Sequence, residues 1–194
     1  GCVPLRSPIP MDKAAMIGCC VPTGVGAVLF SAKVTPGSTV AVIGCGGVGL
    51  NVIMGAKLVN AAKIIAVDIR ESQLEFAMKF GATHSVNASD RDPVAQVKEL
   101  TDGKGADFTF EVFGSADTTK AAYEMAGKRG TVTVVGIAPS GAEEWKNTRL
   151  NSSHAQIPYA VCCLRKKKHM QHFLKPGAPR HLPKSPVPTT FNRQ

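Results

Sequence analysis

The residues with the clearest chemical pattern are three glycines, Gly44, Gly46 and Gly49, spaced as G-x-G-x-x-G. The apolar run 40–43 precedes them and a helical apolar face follows. A strand, a glycine turn and a helix in this order are typical of a dinucleotide pyrophosphate site. Gly44 allows the tight turn, Gly46 lets the main chain approach the phosphates, and Gly49 lets the helix pack closely on the strand. The alternative is a glycine turn that binds nothing.

The start of the following helix and the end of the next strand supply further candidate contacts. The N–H groups around Gly47 and Val48 lie in the first helical turn, at the positive end of the helix dipole, and we expect them to face the phosphates. Asp68 ends the strand-like run 64–68 and can accept hydrogen bonds from an adenosine ribose. A carboxylate there repels a 2′-phosphate, which favours NAD over NADP, although the nearby Arg70 leaves NADP open.

The formal net charge of +9 on the 194-residue chain comes from its C-terminal quarter. Residues 1–143 contain 13 Lys and Arg and 13 Asp and Glu, whereas residues 144–194 contain 10 and 1. The last quarter also holds six of the 13 prolines. We therefore expect a domain over 1–143 and an irregular, disordered basic tail over 144–194. A nucleic-acid-binding arm is the alternative for the tail, but we expect no nucleic-acid partner.

The remaining composition bears on location and metals. No run reaches the roughly 18 apolar residues of a membrane span, and the first residues lack a secretory signal pattern. We therefore expect a cytoplasmic protein without a membrane partner, and, because the chain starts at Gly1, the inside of a longer protein. The cysteines form neither a disulfide framework nor a Cys-x-x-Cys pair. They are Cys2, Cys19, Cys20, Cys45, Cys162 and Cys163.

The predicted elements alternate from residue 39 onward. Before that, residues 1–10 read as an extended linker, 11–17 as a helix and 27–32 as a second helical piece, with Pro22 preventing a regular helix between them. The predicted strands are 40–43, 64–67, 84–87, 108–112 and 132–135. The predicted helices are 47–58, 71–80, 93–100 and 118–126.

This alternation predicts an α/β fold with a doubly wound parallel sheet of the Rossmann type, with about five of six strands present. In such a sheet ligands bind outside the C-terminal strand ends. Asp68, Glu111 and Gly136 fall at such ends. We expect Glu111 to be a hydrogen-bonded structural carboxylate.

Residues 1 to about 142 resemble the cofactor domain of zinc-type, medium-chain alcohol dehydrogenases, in the branch near the class III and nitrosoaniline-dependent enzymes. The resemblance is carried by segments 17–26, 44–50, 66–69, 80–84, 111–114 and 134–137, in that order. It implies an oxidoreductase that uses zinc to transfer hydride between an alcohol or aldehyde and NAD, in a homo-oligomer. The alternatives are a zinc-free quinone reductase of the same superfamily, which would favour NADPH and lack a cysteine at position 19, and a non-enzymatic nucleotide-binding module.

The resemblance also implies roles for individual residues. Cys19 resembles the third protein ligand of the catalytic zinc, although a cysteine in isolation reads as a buried, inert thiol. The cofactor positions it implies are Thr23 facing the nicotinamide, Gly47 and Val48 at the pyrophosphate, Asp68 at the ribose, Phe113 beside the adenine, and Val135, Gly136 and Ile137 along the nicotinamide ring. We expect Cys20 and Cys45 to be packing residues and His84 to be structural.

The sequence departs from the family in two places. The family's other zinc ligands lie in an N-terminal domain that this sequence does not show, and a catalytic zinc needs three protein ligands, so we expect the chain alone to be inactive. Segments 148–154 and 157–164 resemble a translated sequencing-library adapter, and from about Glu144 onward we expect a sequence foreign to the domain. Within it, only 157–164 is apolar enough to be laid against the open sheet edge.

Overall fold

A computed structural model describes residues 9–137 and 162–165 of the chain. The helices are α1 (Met11–Ile17), α2 (Cys20–Gly26), α3 (Gly47–Leu58), α4 (Glu71–Phe80), α5 (Pro93–Leu100) and α6 (Ala116–Met125), with a π-helical segment (Ala27–Ala32) after α2. The strands are β1 (Thr39–Ile43), β2 (Lys63–Asp68), β3 (His84–Asn87), β4 (Ala106–Glu111), β5 (Ala126–Val134) and β6 (Cys162–Arg165).

The strands form one sheet in the order β3-β2-β1-β4-β5-β6. The first five are parallel, and β6 pairs antiparallel with β5. This confirms the predicted doubly wound α/β fold with five parallel strands. The sixth place is taken by β6, which differs from the predicted irregular tail and overlaps 157–164, the segment of that tail identified as apolar enough to lie at this edge. The predictions for the linker before residue 9 and for the rest of the tail lie outside the described residues.

Both faces of the sheet are buried, because residues 40–43 of β1 and 64–67 of β2 are apolar at every position. Val40 and Val42 pack under the π-helical segment, α3 and α4, whereas Ala41 and Ile43 pack under α5 and α6. A strand covered on both sides lacks the alternation of a half-exposed strand and reads as a continuous apolar run. Helices on both faces of a parallel sheet are also what right-handed crossovers produce.

The prediction that Pro22 prevents a regular helix was wrong. Pro22 is the third residue of α2. In the first turn the main-chain N–H groups have no intrahelical acceptor, so the proline ring removes no helical hydrogen bond there. The break between α1 and α2 lies instead at Gly18 and Cys19, where Cys19 has φ −141° and ψ −76°.

Strands β1 and β2 begin one residue earlier than predicted, and three further elements begin at least two residues earlier. Helix α6 starts at Ala116 because Ser115 and Thr118 form a reciprocal capping box. Strand β4 starts at Ala106, beyond a register shift between Ala106 and Phe108. Strand β5 starts at Ala126, where the glycine-rich stretch that follows gave no apolar signal.

The helical run Met11–Ala32 is 22 residues long and, by length and composition alone, is apolar enough to cross a membrane. Part of this run packs on the domain. A Cβ on Gly24 would lie 2.6 Å from the carbonyl oxygen of Val48, and one on Gly55 would lie 3.2 Å from the Cβ of Val28. The inner side of the run therefore belongs to the core over α3.

Two glycines in α2 test this packing directly. We expect Gly24→Ala to lower the free energy of unfolding by about 1–3 kcal/mol, because the new methyl group meets the main chain of α3. Gly26→Ala is the matched control, since its Cβ would make only an ordinary 3.8 Å contact with Phe30. That change should be neutral or stabilise by up to about 1 kcal/mol. Denaturant unfolding of both variants checks the difference, and equal effects would show that α2 does not pack on α3 as described.

Candidate functional site

The C-terminal ends of four parallel strands lie side by side and bring together residues far apart in the chain. Ile43 is level with Val67 on β2 and with Glu111 on β4, and Glu111 is level with Val134 on β5. The residues that follow these positions therefore lie together at the C-terminal side of the sheet, where the parallel strands end. They are the glycine turn after β1, Asp68, the turn at 112–114 and the segment 135–137.

The glycine turn needs its glycines for two different reasons. Gly44 has φ +92°, and its N–H donates to the carbonyl of Val67 at 2.9 Å. A Cβ on Gly49 would overlap the carbonyl oxygen of Gly44, so α3 can approach the turn only without a side chain there. A Cβ on Gly46, in contrast, would have no described heavy atom within 4 Å apart from its chain neighbours. The surface beside Gly46 is open.

The N-terminus of α3 points its dipole at this open surface. Gly46 is the N-cap, and among the described residues no side chain caps the helix. The first N–H groups of a helix have no intrahelical acceptor, so those near Gly47 and Val48 are left for an external acceptor. Together with the positive end of the helix dipole they suit a phosphate group.

Asp68 fastens the glycine turn to the end of β2. Its Oδ2 accepts the N–H of Cys45 at 2.8 Å and its Oδ1 accepts the N–H of Arg70 at 3.0 Å. The Arg70 Nε lies 3.9 Å from Oδ1, with the arginine side chain 64% exposed and the Asp68 side chain 8% exposed. A carboxylate oxygen can accept two hydrogen bonds, so Asp68 can accept further bonds from hydroxyl groups of a ligand. The pattern predicted a ribose contact but not this link to the turn.

Cys45 is a packing residue, as its place in the turn suggested. Its side chain is buried, and the thiol donates to the carbonyl of Val67 at 3.8 Å. Burial and the negative charge of Asp68 raise the pKa of the Cys45 thiol to about 12. The thiolate is the reactive form, so this cysteine is inert at neutral pH.

The reactivity of the cysteines can be measured by alkylation and peptide mapping. We expect the exposed Cys19 to react with iodoacetamide at pH 8 while Cys45 does not, because a thiol of pKa near 12 is ionised in only roughly one molecule in ten thousand at that pH. Denatured protein, in which both cysteines react, is the control. Comparable labelling of the two in folded protein would contradict the buried position of Cys45.

The ends of β4 and β5 present two exposed apolar side chains, Phe113 and Ile137, which are 69% and 72% exposed. Between them lies Glu111, which is fully buried. Its Oε1 accepts the N–H of Phe113 at 2.9 Å and that of Gly114 at 2.6 Å. This geometry agrees with the prediction that Glu111 is a hydrogen-bonded structural carboxylate.

The start of α2 lies beside the start of α3, since a Cβ on Gly47 would be 3.9 Å from the Cβ of Cys20. This places Cys19 and Thr23 in the α2 segment next to the glycine turn, with the Thr23 N–H donating to the Cys19 carbonyl at 3.1 Å. The Cys19 side chain is exposed, so the buried thiol that its residue type favours is not observed.

A complete metal site is not formed by residues 9–137 and 162–165. Within them no three His, Cys, Asp or Glu side chains come together in a way that could hold a metal ion. The donor set available around Cys19 does not reach the three protein ligands of a catalytic zinc. The residues present therefore do not fit zinc by themselves. The predicted roles of the individual site residues stay predictions.

The fold and the strand-end site define a Rossmann-type α/β domain. Comparison with known families matches residues 47–174 to the zinc-binding dehydrogenases. The chain is 42% identical over 176 residues to the class-3 alcohol dehydrogenase of Zea mays and 41% identical over 169 residues to that of Pisum sativum. These alignments cover 82% and 78% of this chain. The chain belongs to the zinc-binding dehydrogenase family.

Solved structures agree with this placement. Benzyl alcohol dehydrogenase from Acinetobacter calcoaceticus superimposes with a TM-score of 0.68 at 41% identity, over 72% of this chain and 38% of that one. An alcohol dehydrogenase zinc-binding domain protein from Burkholderia ambifaria gives 0.68 at 37% identity, over 72% and 37%. The chain spans about half the length of the curated relatives, 46% and 44%. The family match also runs past residue 143, the predicted end of the domain, and that end stays a prediction.

Proposed function

We propose that this chain binds NAD or NADH across the C-terminal strand ends and forms the cofactor-binding part of a zinc-dependent dehydrogenase that interconverts alcohols and aldehydes. The observation that carries the proposal is the surface at Gly46 that the described residues leave open, beside an α3 N-terminus that no described side chain caps and next to the Asp68 carboxylate. An anion-binding helix terminus and a carboxylate acceptor suit the pyrophosphate and the ribose of a dinucleotide.

The remaining parts of the cofactor have candidate partners at the same edge. The exposed ring of Phe113 offers an apolar face to the adenine. Val135, Gly136 and Ile137 continue from β5 and would lie along the nicotinamide ring, with Thr23 on the α2 side. The cofactor supplies the hydride chemistry, and this chain's part is to orient the ring and exclude water.

The relatives support the substrate class. Those described above are alcohol dehydrogenases, one of them a benzyl alcohol dehydrogenase. They do not favour a quinone reductase. We infer that an alcohol or aldehyde is the substrate of the whole protein.

Zinc is proposed for the whole protein rather than for this chain alone. Cys19 is the candidate ligand that the described residues offer, and its exposed thiol leaves it accessible to a metal. Further ligands would come from parts of the whole protein that the described residues do not include. A bound zinc would polarise the alcohol oxygen and lower its pKa.

The cofactor preference tests the proposal. We expect NADH to bind at least roughly tenfold more tightly than NADPH, because a 2′-phosphate would lie against the Asp68 carboxylate. Asp68→Asn should reduce the preference for NADH over NADPH, because the substitution removes the negative charge. Fluorescence titration with both nucleotides measures it, and thermal unfolding of the variant controls for loss of the Cys45 hydrogen bond. Equal affinities for NADH and NADPH in the unaltered chain would overturn the assignment of Asp68.

A further inference from the structure

Glu111 contacts two neighbouring loops at once, one through its side chain and one through its main chain. Its Oε1 accepts three hydrogen bonds, from the N–H groups of Phe113 and Gly114 and from the hydroxyl of Thr118 at 2.8 Å. Its main-chain carbonyl accepts the N–H groups of Val135 and Gly136, at 2.8 Å and 3.1 Å. One buried residue therefore ties the loop after β4 to the loop after β5.

These two loops are also in direct main-chain contact. A Cβ on Gly136 would overlap the amide nitrogen of Gly114 and would lie 2.7 Å from the Glu111 Oε2. A Cβ on Gly114, which has φ +95°, would lie 2.5 Å from the carbonyl oxygen of Ile137. Because no side chain separates the loops, a shift of the Gly114 turn is passed directly to Gly136 and Ile137.

The third donor connects the same carboxylate to α6. Thr118 lies in the first turn of α6, and its hydroxyl also contacts the hydroxyl of Ser115 in the capping box. The Glu111 side chain thus fixes the Gly114 turn and the N-terminus of α6 relative to the end of β4. Through Gly114 it also fixes the loop after β5.

The second carboxylate oxygen of Glu111 reduces what this residue contributes to the stability of the fold. Oε2 is buried and has no hydrogen-bond partner in the part of the chain that the structure describes. Leaving a buried polar atom without a hydrogen-bond partner is unfavourable. This cost offsets part of what the three hydrogen bonds to Oε1 contribute, so the larger effect of Glu111 is on geometry.

We propose that Glu111 is a positioning residue that holds the 113–114 turn against the 135–137 loop, and so fixes these two parts of the strand-end site relative to each other before the cofactor binds. The inference rests on the proposed function, which places the adenine beside Phe113 and the nicotinamide along 135–137. A preformed site strengthens binding because the loops lose less freedom when the ligand arrives.

Two pairs of variants of the full chain test the proposal. Glu111→Gln keeps an acceptor for the three donors, whereas Glu111→Leu has similar size and no acceptor. Thr118→Ser keeps the third donor, whereas Thr118→Val removes it. Amide hydrogen exchange is measured at Phe113, Gly114 and Val42, the last being a buried residue of the neighbouring strand β1. NADH affinity is measured by fluorescence, at a temperature where each variant is folded.

We expect exchange at Phe113 and Gly114 to be at least roughly tenfold faster in Glu111→Leu than in Glu111→Gln, with Val42 unchanged, because the lost acceptor frees these two amides locally. NADH affinity should fall roughly tenfold in Glu111→Leu and stay within about threefold in Glu111→Gln, as expected for lost preorganisation. Thr118→Val and Thr118→Ser should show the same contrast with a smaller amplitude.

The outcomes separate this inference from the proposed function. If the unaltered chain binds no NADH, the proposed function fails, and the exchange pattern alone decides about Glu111. Faster exchange that is equal at Gly114 and Val42 indicates a general loss of stability and overturns the positioning role. If Glu111→Leu does not fold, the Thr118 pair decides, and equal exchange at Gly114 in Thr118→Val and Thr118→Ser overturns the proposal. In a chain that binds NADH, unchanged affinity in folded Glu111→Leu also overturns it.

Discussion

The site depends on main-chain contacts that a side chain would prevent. Gly49 lies against the carbonyl of Gly44, and this contact places the first turn of α3 directly beyond the end of β1. Gly136 lies against Gly114 in the same way and joins the ends of β4 and β5. Close approach at these positions brings N–H groups, rather than side chains, to the edge where a ligand binds in an open parallel sheet.

Two carboxylates, one at the end of β2 and one at the end of β4, hold these contacts in place. Asp68 accepts the N–H of Cys45 in the glycine turn, and Glu111 accepts the N–H groups of Phe113 and Gly114. In both cases an acidic residue at a strand end satisfies main-chain donors that the irregular loop would otherwise leave unpaired. Asp68 also retains some exposure, whereas Glu111 is fully buried. The partial exposure of Asp68 lets its carboxylate contact a ligand, whereas the burial of Glu111 limits it to positioning the loops.

Much of the fold could be predicted from the sequence because its central elements carry strong periodic signals. The bounds of α3, α4, α5 and β3 were predicted as observed. Predictions failed where local chemistry overrode the pattern. Pro22 reads as a helix breaker but lies in a first turn, and the start of β5 is rich in glycine and has no apolar run. The link from Asp68 to the glycine turn depends on a tertiary contact that spacing cannot reveal, whereas the hydrogen-bonded role of Glu111 was predicted.

Binding of a dinucleotide at the strand ends is tested most directly by titrating the isotope-labelled chain with NADH and following each main-chain amide by NMR. We expect chemical-shift changes concentrated at the first turn of α3, at Asp68, at Phe113 and along 135–137. Shifts confined to other surfaces, or no saturable shifts in the folded protein, would contradict it.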